Sequence, residues 1–318
     1  MKNVTKTNAF FAFVVVFYLF CSYLISALGS FGIIIPDYVL QFLPQVILLI
    51  PCLLYVVWMR PETVKDVSYE AVSVGTILKV IAITYLILPT MMFINGVSSM
   101  FVENKVVDAM DRIFQYPLWF RIATMALLPA VVEEFIFRGL IFNGLKRRNP
   151  LWAIIISGFL FGAMHMNINQ FLYAFVMGVF FAFVAYATGS MWPTMIMHFI
   201  YNAQSVILSH ILMTYAGDML EASEDAAAVA GEVDMLTMAV AYVTVYGTIL
   251  AIALVGLVLA TLVYISLCKK NRGWESVKRI FVKPYRTTFD ENQGKFIDGY
   301  FVVAVGLCIL RMIIIEIG

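Results

Sequence analysis

Nine stretches of this sequence are each close to the length of a membrane span and nearly free of charge, which leaves few options for folding. They run near 9–29, 38–59, 76–98, 117–145, 150–167, 170–188, 191–213, 235–268 and 296–317. A span needs about 20 consecutive apolar residues to cross the hydrocarbon of a bilayer. The chain is 62% hydrophobic and 13% charged, where soluble domains carry roughly a quarter charged residues. The expectation is an all-α, polytopic transmembrane helix bundle of eight to nine spans. The turns near 167–170 and 188–191 are too short for anything but antiparallel neighbours.

Charge orients the spans. Arg60 and Lys65 follow the second, Lys146, Arg147 and Arg148 follow the fourth, and eight Lys/Arg lie in 269–295. The segment 215–235 has six acids and no base. Basic loops thus fall on alternate crossings, which predicts a cytoplasmic N-terminus and, with nine spans, an outer C-terminus. The run from Phe10 to Gly29 follows Lys2 and Lys6 and is too long for a cleaved signal; it reads as an uncleaved first span. The expected place is a cell membrane of bacterial type. The expected divisions are 1–116, accessory spans; 117–213, a core holding the chemistry; and 214–318, an acidic outer loop, then further spans with a basic cytosolic loop. Segments 61–70 and 269–295 read as cytosolic connectors or interfacial helices. Cys21, Cys52, Cys268 and Cys308 lie in or beside apolar runs with no CxxC spacing, so no disulfide framework is expected. No basic aromatic patch points to nucleic acid.

Against this apolar background the polar groups stand out. From Pro150 to Ala216 there is no Asp, Glu, Lys or Arg, yet His165, His198 and Asn202 lie there. In "AVVEEFIFRGL", residues 130–140, Glu133, Glu134 and Arg138 sit within the fourth span. An ionisable group at mid-membrane costs about 2.5–3.5 kcal/mol on insertion scales, so its default reading is functional. Glu134 and Arg138 are four apart and share a helix face. Glu133 is rotated by about 100° from Glu134. This predicts a charge-compensated pair, Glu134 with Arg138, and one less compensated carboxylate, Glu133, able to take a proton from water. His198 and Asn202 are also four apart and can donate to a developing oxyanion. Phe161 and His165 share a face, the phenyl ring to dry the site and the imidazole to orient water with Glu133. Gly158 and Gly162 form a small-xxx-small face that would draw the fifth span against a neighbour. His210, near a span end, reads as a satisfied interhelical group, and Asn167, Asn169 and Gln170 as turn or interface groups.

"EEFIFR", "FGAMH" and "HFIYN" occur in that order as EExxxR, FxxxH and HxxxN, the last preceded by "GSMWPTMIM". Over roughly 117–205 the chain resembles the CAAX protease and bacteriocin-processing family, also called the abortive-infection or type II CAAX prenyl endopeptidase family. The resemblance implies an α-helical intramembrane endopeptidase without a cofactor. It implies that Glu133 and His165 activate water, that His198 and Asn202 form the oxyanion site, and that Glu134 and Arg138 support them. It implies a membrane-associated peptide or protein as substrate, and the bilayer as surroundings. The spans of 235–317 and their basic loop fall outside the pattern.

Three other readings use the same residues. Glu and two His could ligate zinc with an open position, although no HExxH helix is present. Glu133, Glu134 and His165 could relay protons in an ion-coupled transporter, although no repeat suggests two halves. The chain could also be a noncatalytic immunity or scaffold protein.

Overall fold

A computed structural model describes residues 3–59, 62–102, 113–215, 235–282 and 294–317. The acidic segment between Tyr215 and Met235, and much of the basic loop before Gly294, lie outside the described residues. The described residues form helices α1 (Asn3–Ser30), α2 (Asp37–Met59) and α3 (Val74–Ser99), with a short 3-10 turn at Glu62–Asp66. Helix α4 starts at Leu118 and ends at Lys146; α5 is Pro150–Met164, α6 Ile168–Thr188 and α7 Trp192–Tyr215. Helix α8 is Met235–Lys270, α9 is the short Trp274–Lys278 and α10 is Gly299–Ile317. No strand occurs among the described residues. Among the described residues, seven helices are long and apolar enough to cross a membrane, namely α1, α2 (as Asp37–Val57), α3, α6, α7, α8 and α10. The chain is a multi-pass membrane protein with an all-α bundle.

Two of the nine expected spans depart from regular form. Helix α5 is 15 residues, shorter than a full span. Helix α4 is continuous but contains two π-helical stretches, Ala123–Leu127 and Phe135–Phe142. Such wide turns are rare and concentrate at functional sites. They flank the Glu133–Glu134 pair at the end of the intervening α-turns, Leu128–Glu134. Pro129 lies in those turns. It has no N–H, so the Met125 carbonyl loses its usual i+4 donor. Asn202 of α7 donates to that oxygen.

Helices α5 and α6 are the tightest pair around the site, and glycine is the reason. A Cβ on Gly162 would stand 2.7 Å from the Phe171 carbonyl oxygen, and one on Gly158 2.8 Å from the Val179 backbone nitrogen. Gly178 on α6 closes the contact from the other side, 2.8 Å from the Gly158 Cα. The neighbour for the small-xxx-small face is therefore α6. The turn between the two helices is equally constrained. Asn167 caps α6 by accepting from the Gln170 N–H, and Met166 takes a left-handed backbone with φ 49°. A non-glycine residue there costs of order 1–3 kcal/mol, and such strain clusters at functional sites. Here it immediately follows His165. Gly162→Val is expected to lower thermal stability in detergent by about 1–3 kcal/mol, through overpacking against backbone that cannot move aside. It should also displace His165, three residues on, so activity should fall more than stability alone explains.

The C-terminal helices are integral to the bundle. Helix α8 lies along α3, where Gly256 meets the Leu86 carbonyl, and the Tyr264 hydroxyl donates to the Phe183 carbonyl of α6 at 3.0 Å. Helix α10 reaches α5 through stacked Phe159 and Phe301 rings. The Asn8 amide of α1 donates to the Phe296 carbonyl just before α10. Near the other end of α6, Ser190, Met191 and Trp192 donate to the Glu70, Ser68 and Tyr69 carbonyls. These bonds hold the 67–73 segment against the α6–α7 turn. The four cysteines are unpaired, and Cys268 is buried.

Candidate functional site

Helix α4 supplies the two carboxylates and the guanidinium, and α5, α6 and α7 close around them. Arg138 Nη1 donates to Glu134 Oε1 at 2.8 Å, with both side chains fully buried. Arg138 Nη2 donates to the Gly178 carbonyl at 3.1 Å. The guanidinium lies 4.6 Å from the Phe161 ring centre and 5.0 Å from that of Phe181. This cation is held by a carboxylate, a carbonyl dipole and two aromatic faces, while its Nε is buried without a hydrogen-bond partner. The Gly178 carbonyl is within reach because glycines bring α5 and α6 together.

Glu134 has a second partner. His198 Nδ1 lies 3.0 Å from the same Oε1 and donates to it. Glu134 thus links the Arg138 pair to the imidazole of α7, which the spacing within α4 could not reveal. Glu133 has a different setting. Its side chain keeps 15% of its surface exposed, against 0% for Glu134. Its Oε1 accepts from Gln45 Nε2 of α2 at 2.8 Å. Its Oε2 is 3.9 Å from His198 Nε2, too far for a direct bond and close enough for mutual attraction. Glu133 lines a cavity of about 190 Å³ together with Tyr18, Gln45, Phe161, His165 and Gln170. The buried and the accessible carboxylate are therefore adjacent in sequence and opposite in environment.

His165 ends α5. Its Nδ1 donates to the Phe161 carbonyl at 2.8 Å, which leaves Nε2 for a further partner. Phe161 packs edge-on against both His165 and His198. Asn202 lies elsewhere. Its Nδ2 donates to the Met125 carbonyl at 3.2 Å, the oxygen whose i+4 position is Pro129. Asn202 lines a larger cavity of about 350 Å³, with Arg121, Tyr173, Tyr201 and Ser205. It does not line the Glu133 cavity. His165 and Gln170 line both, so they form the wall between the two. His198 is buried and lines neither.

Sequence reasoning assigned no role to Gln45. The signal was present: Gln41 and Gln45 are four apart in an apolar span. In the bundle Gln41 accepts from Thr124 and Gln45 donates to Glu133, so one face of α2 reads α4 at two points. Gln45→Leu is expected to remove a bond to a charged acceptor, worth about 1.5–3 kcal/mol. The expected result is roughly a tenfold or greater fall in cleavage rate with the chain still inserted, seen by rate measurement at equal protein level. His210 accepts from Arg121 Nη2 at 3.0 Å and is apart from the catalytic candidates. Asn169 is fully buried and donates to Ser99 of α3, so it is an interhelical bond and not a turn group.

Among the described residues no group of three or more His, Cys, Asp or Glu is arranged to hold an ion. Glu134 Oε1 is already occupied by Arg138 and His198.

A comparison with known families falls on this same region. Residues 115–204 match the family described as type II CAAX prenyl endopeptidase, Rce1-like. The chain is 32% identical over 100 residues to YdiL, a candidate membrane peptidase of Bacillus subtilis (strain 168). That alignment covers 31% of this chain and 40% of the relative's length. No solved structure matches. Segment 115–204 of this membrane protein, which carries all the residues of the EExxxR, FxxxH and HxxxN motifs, is similar to the Rce1-like, type II CAAX prenyl endopeptidases.

Proposed function

We propose that the chain is an intramembrane endopeptidase that hydrolyses a peptide bond in a membrane-associated peptide or protein, with Glu133 as general base. The observation that carries this reading is the split between the two carboxylates. Glu134 is fully buried and bound by Arg138 and His198, whereas Glu133 opens on a cavity with His165 on its wall. Water in that cavity can give a proton to Glu133 while the free Nε2 of His165 accepts its other hydrogen. The hydroxide then attacks the scissile carbonyl, and Glu133 returns the proton to the leaving amine.

His198 and Asn202 are the oxyanion donors of this mechanism. With Nδ1 committed to Glu134, His198 can donate from Nε2 only as an imidazolium. Asn202 keeps one amide hydrogen beyond its bond to Met125. It faces the larger cavity, so the substrate carbonyl must reach it past the wall of His165 and Gln170. Loss of one such donor costs roughly 10²–10³ in rate. The name of the Bacillus subtilis relative, a membrane peptidase, supports the reaction class.

The test is the purified chain in liposomes with a pool of membrane-derived peptides. Cleavage is expected from the native chain and from chain treated exhaustively with a chelator. It is expected to vanish in Glu133→Gln and His165→Ala. Chelator-sensitive cleavage would overturn the metal-free mechanism. Charge flux without cleavage would support the transporter reading instead.

A further inference from the structure

We infer that Arg121 is an anion-binding subsite for a carboxylate of the substrate, remote from the scissile bond, in the cavity that adjoins the Glu133 cavity at His165 and Gln170. This rests on the endopeptidase reading above. Arg121 is 3% exposed and lines the cavity of about 350 Å³ that also holds Asn202 and one side of His165. Its compensation is incomplete. Arg138 has a carboxylate partner, but no ion pair among the described residues includes Arg121. Nη2 donates to the His210 Nδ1 lone pair, and the guanidinium sits 4.7 Å from the Phe114 ring centre. Nε is buried with no partner. An arginine that merely snorkels would hold its guanidinium in water; this one is withdrawn into a polar chamber.

The chamber suits a peptide end or acidic side chain. Asn95, Ser205 and Ser209 line the same cavity, and a guanidinium binds a carboxylate with paired, charge-assisted bonds. Spacing gives the register. Arg121 and Glu133 are twelve positions apart on α4, or about 18 Å at 1.5 Å per residue. An extended peptide advances about 3.3–3.6 Å per residue, and the arginine side chain shortens the gap, so the carboxylate falls roughly three to five residues from the cleaved bond.

The experiment uses the full chain in neutral phosphatidylcholine vesicles and a membrane-derived peptide pool, with cleavage products sequenced by mass spectrometry. One arm has free C-termini, a second has amidated C-termini, and a third adds phosphatidylglycerol. Native chain is expected to enrich a carboxylate at a fixed distance from the cut by about tenfold or more. Loss of that enrichment on amidation assigns the terminal carboxylate; persistence assigns an acidic side chain. Arg121→Gln should raise KM for those peptides with little change in kcat and abolish the enrichment, and Arg121→Lys should restore part of it. Unchanged enrichment in Arg121→Gln, no enrichment in native chain, or suppression by phosphatidylglycerol alone, as a lipid phosphate site would give, overturns the subsite. Those outcomes leave Glu133-dependent cleavage standing. Absence of Glu133-dependent cleavage in native chain overturns both readings.

Discussion

Arg138→Met is expected to destabilise the bundle by about 3–5 kcal/mol, the usual cost of removing one partner from a buried ion pair. Glu134 would remain fully buried with only His198 beside it. Thermal unfolding in detergent should move down sharply and the membrane level should fall. The guanidinium also bonds Gly178 and lies between Phe161 and Phe181, so Lys, a compact charge on a flexible stem, should restore only part of the loss. The double change Glu134→Gln with Arg138→Met removes both charges. It should recover much of the stability while activity stays low, because His198 Nδ1 has lost the carboxylate that orients it. Equal melting of native chain and Arg138→Met would show that the pair does not hold the bundle.

Much of this arrangement is legible in the sequence because a membrane makes polar residues conspicuous. Hydropathy alone locates the spans, since each must be apolar over its length. Helical spacing alone pairs Glu134 with Arg138, since residues four apart share a face. The interruptions of α4 are harder to read. Its two π-helical stretches keep an apolar composition, so nothing in hydropathy distinguishes them from regular helix. Contacts between helices are also hidden. That Glu134 holds His198 depends on how α7 lies against α4, which local spacing does not encode. Gln45 and Arg121 illustrate the same limit. Each is visible as a polar residue in or at the edge of an apolar run, but its partner is set only when α2, α4 and α7 pack. The separation of Asn202 from the Glu133 cavity is hidden in the same way, since its amide bonds the Met125 carbonyl of α4 only once α7 packs there.

Glu133→Gln is expected to lower the rate of cleavage by about 10²–10⁴-fold, the range that a positioned general base contributes. The change keeps shape and keeps an acceptor for Gln45 Nε2, and the side chain is already partly exposed. Stability and membrane level should therefore stay near native values, in contrast to Arg138→Met. The two variants separate the account's two parts: one carboxylate works and the other holds. The most direct measurement is comparative terminal proteomics of cells carrying native chain or Glu133→Gln at equal levels. The account predicts new protein termini within or beside membrane-spanning segments in the native cells, and their absence in Glu133→Gln. Identical termini in the two strains would contradict it.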